Sequence, residues 1–164
     1  MVGSNDIRAR SSQTSSQIDI ESELAGLALF ADLTPAQLEK AGQAFEEQWF
    51  QPGERAQRQG FAGSGFHVIV SGEAEWRVDG QVADRTATRL LSTKPLLLKR
   101  GDWFGELSIL FDEPSISDVV AAVPLQCLVL PGQELEPFLL GYPAVMYRLL
   151  LGEARRLRDP QRWR

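Results

Sequence analysis

The pattern of apolar and polar positions changes twice along the chain. Up to about residue 50, apolar residues recur every three or four positions, which is typical of helices with one buried face. Between residues 53 and 131, glycines separate short runs that alternate or are wholly apolar, which indicates many short strands joined by turns. After residue 131 the helical spacing returns. This order, in which helices do not alternate with the strands, favours an antiparallel sandwich or barrel over a parallel sheet.

Two helices are predicted before the strands. The first lies within residues 18–30, where apolar residues have mixed helical spacing. The second begins at Thr34, whose hydroxyl can cap a helix while Gln37 completes a capping box, and it is predicted to run to Phe50, just before a Pro-Gly pair. The apolar face of this second helix consists of Leu38, Ala41, Phe45 and Trp49.

Short strands and one tight turn can be assigned within residues 53–131. Asp79-Gly80 follows an alternating run and is typical of a two-residue hairpin turn. Val123-Pro124 separates two apolar runs further along the chain. The predicted strands are residues 67–70, 74–78, 119–122 and 125–130.

These patterns give one domain with a short N-terminal extension. Residues 1–17 are rich in Ser, Gln and Arg and are predicted to form a disordered tail. Two more helices, at residues 133–140 and 144–157, are separated by a Gly-Tyr-Pro break. The predicted organisation is a single domain of residues 18–164, with N-terminal helices in residues 18–50, a β-roll in residues 53–131 and C-terminal helices in residues 133–158.

Composition narrows the chemistry that such a domain can perform. The chain has one His, one Cys and a formal net charge of −5. A zinc finger, a His-rich metal cage, a CxxC redox pair and an intramolecular disulfide are therefore excluded, and a catalytic triad would have to use His67. That histidine lies in an apolar run and is predicted to be a buried, hydrogen-bonded core residue. Cys127 is predicted to be a core thiol. We expect no catalytic residue and no metal site.

Charge and apolar stretches bear on location and partners. No apolar stretch is long enough to cross a bilayer and the N-terminal sequence is not a secretory signal, so we expect a cytoplasmic protein with no membrane contact. Residues 148–164 carry a net charge of +4, although the chain as a whole is acidic. A solvated basic helix face explains this charge better than contact with nucleic acid.

The segment most informative about function lies between Lys99 and Ala122. Within it, Phe104-Gly105-Glu106 reads as the opening of a short helix. A glycine there lets the backbone approach a ligand closely, free N–H groups at a helix start attract anions, and the carboxylate can accept a hydrogen bond from a ribose hydroxyl. Taken alone, such a turn is more typical of an ordinary helix start.

The whole segment resembles the phosphate-binding cassette of the cyclic-nucleotide-binding domain family. This family includes catabolite-activator-type regulators, regulatory subunits of cAMP-dependent kinase and cyclic-nucleotide-gated channels. Its pattern is approximately F-G-E-[LIV]-[AS]-L, followed several residues later by R-[ST]-A or R-A-A. Residues 104–109 read FGELSI and match the first half. The resemblance spans residues 27–158, with further matches at Pro52-Gly53-Glu54, Gln59-Gly60, residues 70–74 and residues 97–102.

The resemblance implies a fold and a set of binding residues. The fold would be mainly β with flanking helices, a double-stranded β-helix or jelly roll, with the ligand held between the roll and the last helix. Gly105 and the following amides would face the cyclic phosphate, and Glu106 would face the ribose 2′-hydroxyl. The predicted ligand-binding residues are Phe104, Gly105, Glu106, Leu107, Ser108, Ser115, Ile116 and Ser117.

The cassette lacks the arginine that the family uses to pair with the phosphate. Ser115 stands in its place, a shift of one residue gives Ile116, and Asp118 adds negative charge nearby. A hydroxyl cannot replace the two charge-assisted hydrogen bonds of a guanidinium. The expected affinity for a cyclic nucleotide is therefore lower by about two to four orders of magnitude. The candidates to substitute for the missing guanidinium are Arg85, Arg89 and Arg100.

Three functions remain open. The first is a stand-alone, non-catalytic sensor or regulatory module, with weak or altered binding of a cyclic nucleotide such as cAMP or cGMP, no other cofactor, and residues 131–157 as its moving part. The second is a degenerate domain that binds no nucleotide and serves as a protein-interaction or dimerisation scaffold. The third, an enzyme of cupin type, is opposed by the shortage of metal ligands.

The partners expected follow from the same resemblance. A protein partner or a second copy of the chain is expected to bind through the C-terminal helices. In transcriptional relatives the last helix leads to a DNA-binding domain. This chain ends at Arg164, so no such domain is expected within it.

Overall fold

The structure, a computed structural model, describes residues 19–78, 81–82 and 96–158. Five α-helices, nine strands and two 3₁₀ turns are formed by these residues. In chain order they are α1 (Ile20–Ala25), a 3₁₀ turn (Ala28–Phe30), α2 (Pro35–Gly42), β1 (Glu46–Phe50), β2 (Arg55–Gln57), β3 (Gly65–Ser71), β4 (Ala74–Val78), β5 (Gln81–Val82), β6 (Leu97–Leu98), β7 (Trp103–Phe104), α3 (Glu106–Leu110), β8 (Asp118–Ala121), β9 (Leu125–Pro131), a 3₁₀ turn (Gly132–Glu134), α4 (Leu135–Gly141) and α5 (Pro143–Arg158).

The strands form two sheets in which all pairs are antiparallel. The first sheet has the order β1-β9-β3-β7. In the second sheet β2, β8, β4 and β5 follow one another, and β6 also pairs with β4. Val78 lies opposite Gln81, as a two-residue hairpin requires, while the Asp79-Gly80 turn itself lies outside the described residues. This is the predicted β-roll with helices before and after it.

The first sheet is covered on both faces. Successive side chains of a strand point to opposite sides, so a strand between two layers needs apolar residues at nearly every position. Strands β3 and β9 show this pattern, since six of the seven residues in each are buried. Val68, Val70 and Leu128 pack against the helices, whereas Ile69 and Cys127 pack against the second sheet. The domain therefore has two cores that share one sheet.

The predicted second helix is confirmed at its start and wrong at its end. Thr34 and Gln37 form the capping box, but the helix stops at Gly42. Residues 46–50 form strand β1, which pairs with β9, so the boundary of the N-terminal helices at residue 50 is also wrong. The apolar spacing misled because Phe45 packs against the helices from a loop, while Trp49 is 55% exposed.

The other predicted elements lie close to the observed ones. The strands predicted at 67–70, 74–78, 119–122 and 125–130 are confirmed as parts of β3, β4, β8 and β9, and the C-terminal helices are confirmed as α4 and α5. The first helix is shorter than expected and is followed by a 3₁₀ turn. The tail predicted at residues 1–17 lies outside the described residues. Within the described ranges, no helix has the length and apolar character to span a membrane, and no three potential metal-ligating side chains are grouped together.

The lone histidine and the lone cysteine are both core residues, as predicted. His67 Nδ1 lies 3.0 Å from the carbonyl oxygen of Gly65, to which it donates a hydrogen bond, and its ring stacks on Phe104 at 4.6 Å between ring centres. Burial lowers the pKa of His67 to about 4. Burial also raises the pKa of the Cys127 thiol to about 12. Both side chains are therefore neutral at pH 7.

The close contact of Gly105 with strand β3 generates a first prediction. Gly105 has φ +93°, and a Cβ there would lie 2.3 Å from the carbonyl oxygen of Gly65. Gly53 has a similar φ of +88° but no heavy atom within 4 Å of its would-be Cβ. Alanine at either position adopts a left-handed backbone, which costs about 1–2 kcal/mol. We expect Gly105→Ala to destabilise by at least about 2 kcal/mol more than Gly53→Ala in chemical denaturation, because only Gly105 also clashes. Equal losses of unfolding free energy in the two variants would contradict this prediction.

A second prediction concerns acid stability. Because the pKa of His67 is about 4 in the folded state, below its ordinary value, its contribution is complete above about pH 6.5 and is lost as the pH falls toward 4. The loss amounts to about 3 kcal/mol. We expect His67→Gln to lack this loss, so that the stability difference between the two proteins changes between pH 7 and pH 4. If the free energies of unfolding of the two proteins fall by the same amount between pH 7 and pH 4, His67 does not titrate in this way.

Candidate functional site

The start of α3 brings the first five predicted site residues into one turn. Phe104 ends β7, which is held beside β3 through Phe104 opposite His67. Gly105 then reverses the chain, and Glu106 begins α3 with its side chain buried, only 2% of the residue being exposed. Ser108 ties the helix to its surroundings, since its hydroxyl accepts a hydrogen bond from the Gly63 N–H and donates one to the Glu113 carbonyl. Leu107, between these two, is half-buried.

The second group of predicted residues follows α3 and is anchored to the loop before β3. The Ser115 N–H donates to the carbonyl of Phe61, and its carbonyl accepts from the N–H of Gly60, both at 2.8 Å. The Ser115 hydroxyl is buried and has no hydrogen-bond partner among the described residues. Ser117 is also buried, and its hydroxyl contacts the indole nitrogen of Trp76. Ile116, between them, is mostly exposed.

All eight predicted residues line one small cavity. Its volume is about 30 Å³, enough for one or two water molecules. Among the described residues, six further side chains line it, those of Gln57, Trp76, Leu96, Leu98, Trp103 and Arg156. The structure therefore brings the two parts of the predicted cassette together around a cavity much smaller than a nucleotide.

The carboxylate of Glu106 is paired with an arginine from the far end of the chain. Arg156 Nη1 lies 3.0 Å from Glu106 Oε1, and both side chains are almost fully buried. The guanidinium also contacts Glu153, with Nη1 at 2.9 Å from Oε1, and the carbonyl oxygen of Trp103, with Nη2 at 2.8 Å. Its carbon atom lies 4.5 Å from the centre of the Trp103 ring. We call these residues, Trp103, Glu106, Glu153 and Arg156, the α5 clasp.

Helix α5 comes close enough for this contact because of a glycine. A Cβ at Gly152 would lie 2.3 Å from the ring of Trp103, so any larger residue would push the helix away. The indole nitrogen of Trp103 in turn donates to Glu153 Oε1 at 2.8 Å. Trp103 therefore packs between the cassette and the last helix.

Arg156 is the site residue that the sequence analysis missed. It was counted within a basic, solvated helix face, yet it is 3% exposed. A signal for it was present, because Arg156 continues the spacing of the buried positions of α5. Those positions are Val145, Leu149, Gly152 and Arg156.

The other charged side chains considered near the cassette and described by the structure do not line the cavity and form contacts outside it. Asp118 pairs with Arg55 at 3.2 Å and accepts the Gln59 N–H at 2.8 Å. Arg100, a candidate substitute for the missing arginine, donates to Glu23 and to the carbonyl of Val70, and it does not line the cavity. The candidates Arg85 and Arg89 lie outside the described residues.

Comparison with known structures gives the same fold. The chain superposes on the catabolite activator protein of Thermus thermophilus with a TM-score of 0.64 and 27% identity, over 81% of this chain and 59% of that one. The structure of cAMP-bound PfPKA-R matches with a TM-score of 0.64 and 19% identity, over 86% of this chain and 46% of that one. These neighbours are jelly-roll domains, which confirms the predicted fold class.

Comparison of sequences identifies the same kind of relative. The chain is 34% identical to a cAMP-dependent protein kinase regulatory subunit of Hypocrea atroviridis over 62% of its length, and 28% identical to a cGMP-dependent protein kinase of Eimeria tenella over 80%. It spans 19% and 12% of these two relatives. The family model described as "Cyclic nucleotide-binding domain" matches residues 47–142. The chain therefore belongs to the cyclic nucleotide-binding domain family.

Proposed function

We propose that this chain is a non-catalytic regulatory module that binds a cyclic nucleotide weakly or in an altered way through residues 104–108 and 115–117. The observation that carries the proposal is the position of Glu106. Its buried carboxylate lies in a cavity that all eight predicted residues line. A buried carboxylate in such a cavity is suited to accept a hydrogen bond from a ribose hydroxyl.

The altered part of the site is the phosphate end. Ser115 occupies the position where the family pattern has an arginine, and its buried hydroxyl is available to donate one hydrogen bond to a phosphate oxygen. That bond is neutral on the donor side, whereas a guanidinium makes two charge-assisted bonds. We therefore expect selectivity for the ribose to be retained and affinity to be low.

A second function is favoured by the size of the cavity. Trp76 and Arg156 are among the residues that line the cavity, whose volume is only about 30 Å³. A domain with so small a site that binds no nucleotide would act as a docking or dimerisation scaffold. The exposed apolar side chains of α5, Tyr147, Leu150 and Leu157, would then contact a protein partner or a second copy of the chain.

The relatives support a regulatory role without extending to a whole protein. Two of them are named as a protein kinase and as a kinase regulatory subunit, and this chain matches a minor part of each. In such proteins the cyclic nucleotide-binding domain is separate from the catalytic domain. The process that this module controls therefore depends on its partner, which we expect to contact the C-terminal helices.

The ribose contact generates a prediction for ligand binding. We expect cAMP, cGMP or a cyclic dinucleotide at millimolar concentration to raise the melting temperature saturably, with about 1.4 kcal/mol of stabilisation at ten times the Kd. Glu106→Gln removes the charged acceptor and should abolish this response. Glu113→Gln, at an exposed carboxylate beyond α3, is the matched control and should keep it. A flat response of the wild-type protein to every nucleotide would instead favour the scaffold.

The phosphate contact generates a prediction of gained affinity. We expect Ser115→Arg to lower the Kd for a cyclic nucleotide by about two to four orders of magnitude in calorimetry, because it restores the charge-assisted bonds. Phe111→Arg adds the same charge at an exposed position that does not line the cavity, and it should change the Kd little. Equal gains in both variants would mean that net charge, and not the cassette geometry, controls binding.

A further inference from the structure

The last turn of α5 is attached to the rest of the domain in an unusual way. Earlier in the helix, Val145 and Leu149 are buried in the apolar core, and Gly152 lies against Trp103. Beyond Gly152, the buried residue within the described part of the helix is Arg156, while Leu157 is 88% exposed. The end of α5 is therefore held by the polar contacts of the α5 clasp and not by apolar burial.

Those polar contacts use the same carboxylate that the ligand requires. Arg156 donates to Glu106 Oε1, the side chain that the proposed function assigns to the ribose. A ribose hydroxyl is also a donor, and it competes for the same buried acceptor. The ribose end of the ligand thus opposes the contact between Glu106 and Arg156.

The size of the cavity also indicates that the end of α5 must move when a nucleotide binds. A cavity of about 30 Å³ cannot admit a nucleotide unless part of its wall moves. Most of the described wall residues belong to strands, to α3 or to residues 115–117, whose backbones are held by sheet pairing and by the hydrogen bonds of Ser108 and Ser115. Arg156 is the part of the wall contributed by the helix end that lacks apolar anchoring.

We propose that Arg156 is an internal occupant of the cassette, which a cyclic nucleotide displaces from Glu106 and thereby releases the last turn of α5. This inference rests on the proposed function and adds its regulation. The domain holds its own guanidinium where the ligand must enter, so affinity is lowered twice, by the loss of the cassette arginine and by competition from Arg156. The released helix end, with Leu157 on its surface, is what a partner would detect.

The first test measures affinity. Arg156→Met keeps the length of the side chain and removes the guanidinium, and Arg155→Met changes the exposed neighbouring arginine of the same turn. We expect Arg156→Met to bind cAMP or cGMP at least about tenfold more tightly than Arg155→Met in calorimetry, in the wild-type and in the Ser115→Arg background. Equal or weaker binding would overturn the inference, because Arg156 would then be neutral or would contact the ligand.

A second variant loosens the α5 clasp without leaving a buried carboxylate uncompensated. Glu153→Gln weakens the hold on both Arg156 and Trp103, because Oε1 of Glu153 accepts from both. Its expected effect on affinity has the same sign as that of Arg156→Met and is smaller. Unchanged affinity in Glu153→Gln together with unchanged affinity in Arg156→Met would again overturn the inference.

Hydrogen exchange measures the release of the helix end independently of the affinity for the ligand. Without nucleotide, amides in residues 153–158 of Arg156→Met should exchange faster than those of Arg155→Met, and saturating nucleotide should produce the same change in the wild-type protein. Unchanged exchange in Arg156→Met would refute the release of the helix end. If no variant binds a nucleotide, the proposed function fails and this inference with it. If Ser115→Arg binds but Arg156→Met gives no gain, only this inference fails.

Discussion

The fold depends on covering both faces of strands β3 and β9. Their buried runs offer apolar side chains in two directions, and neither face can be left to water without losing about 25 cal/mol for each Å² exposed. One face is covered by the second sheet and the other by helices that come from both ends of the chain. The helices are therefore part of the same folding unit as the roll. Any movement of α5 must begin where it no longer contributes to this cover, which is beyond Gly152.

A buried ion pair at the point where the helix leaves the core is costly and informative. Removing Glu106 and Arg156 from water carries a desolvation cost that their attraction only partly offsets, and an apolar pair would fill the space at least as stably. The guanidinium also donates hydrogen bonds to Glu153 and to the Trp103 carbonyl, which support the pair. A contact of this kind is better suited to a state that can be exchanged for another than to stability alone.

Sequence patterns predicted the roll, the capping box and the turn at Gly105, because each depends on local chemistry: alternation, a Thr-Pro-x-Gln signal, and a glycine where the backbone reverses. They did not predict strand β1, since its partner β9 lies about 80 residues away and its own spacing imitates a helix. The eight cassette residues were grouped by resemblance to a family, and the structure places them around one cavity. Arg156 was missed because its charge suggested exposure, although it continues the spacing of the buried positions of α5.

The shared oxygen of Glu153 has a consequence for how this chain can vary. One atom, Oε1, accepts hydrogen bonds from an indole on the roll and from a guanidinium one helical turn away on α5. Trp103 and Arg156, about 50 positions apart, are therefore linked through Glu153. A substitution at one of these three positions changes which residues can be accommodated at the other two. Homologues that exchange Arg156 for a neutral residue should also carry compensating changes at Glu153 or Trp103. Covariation among these positions in homologues would show that the residues of the α5 clasp change together.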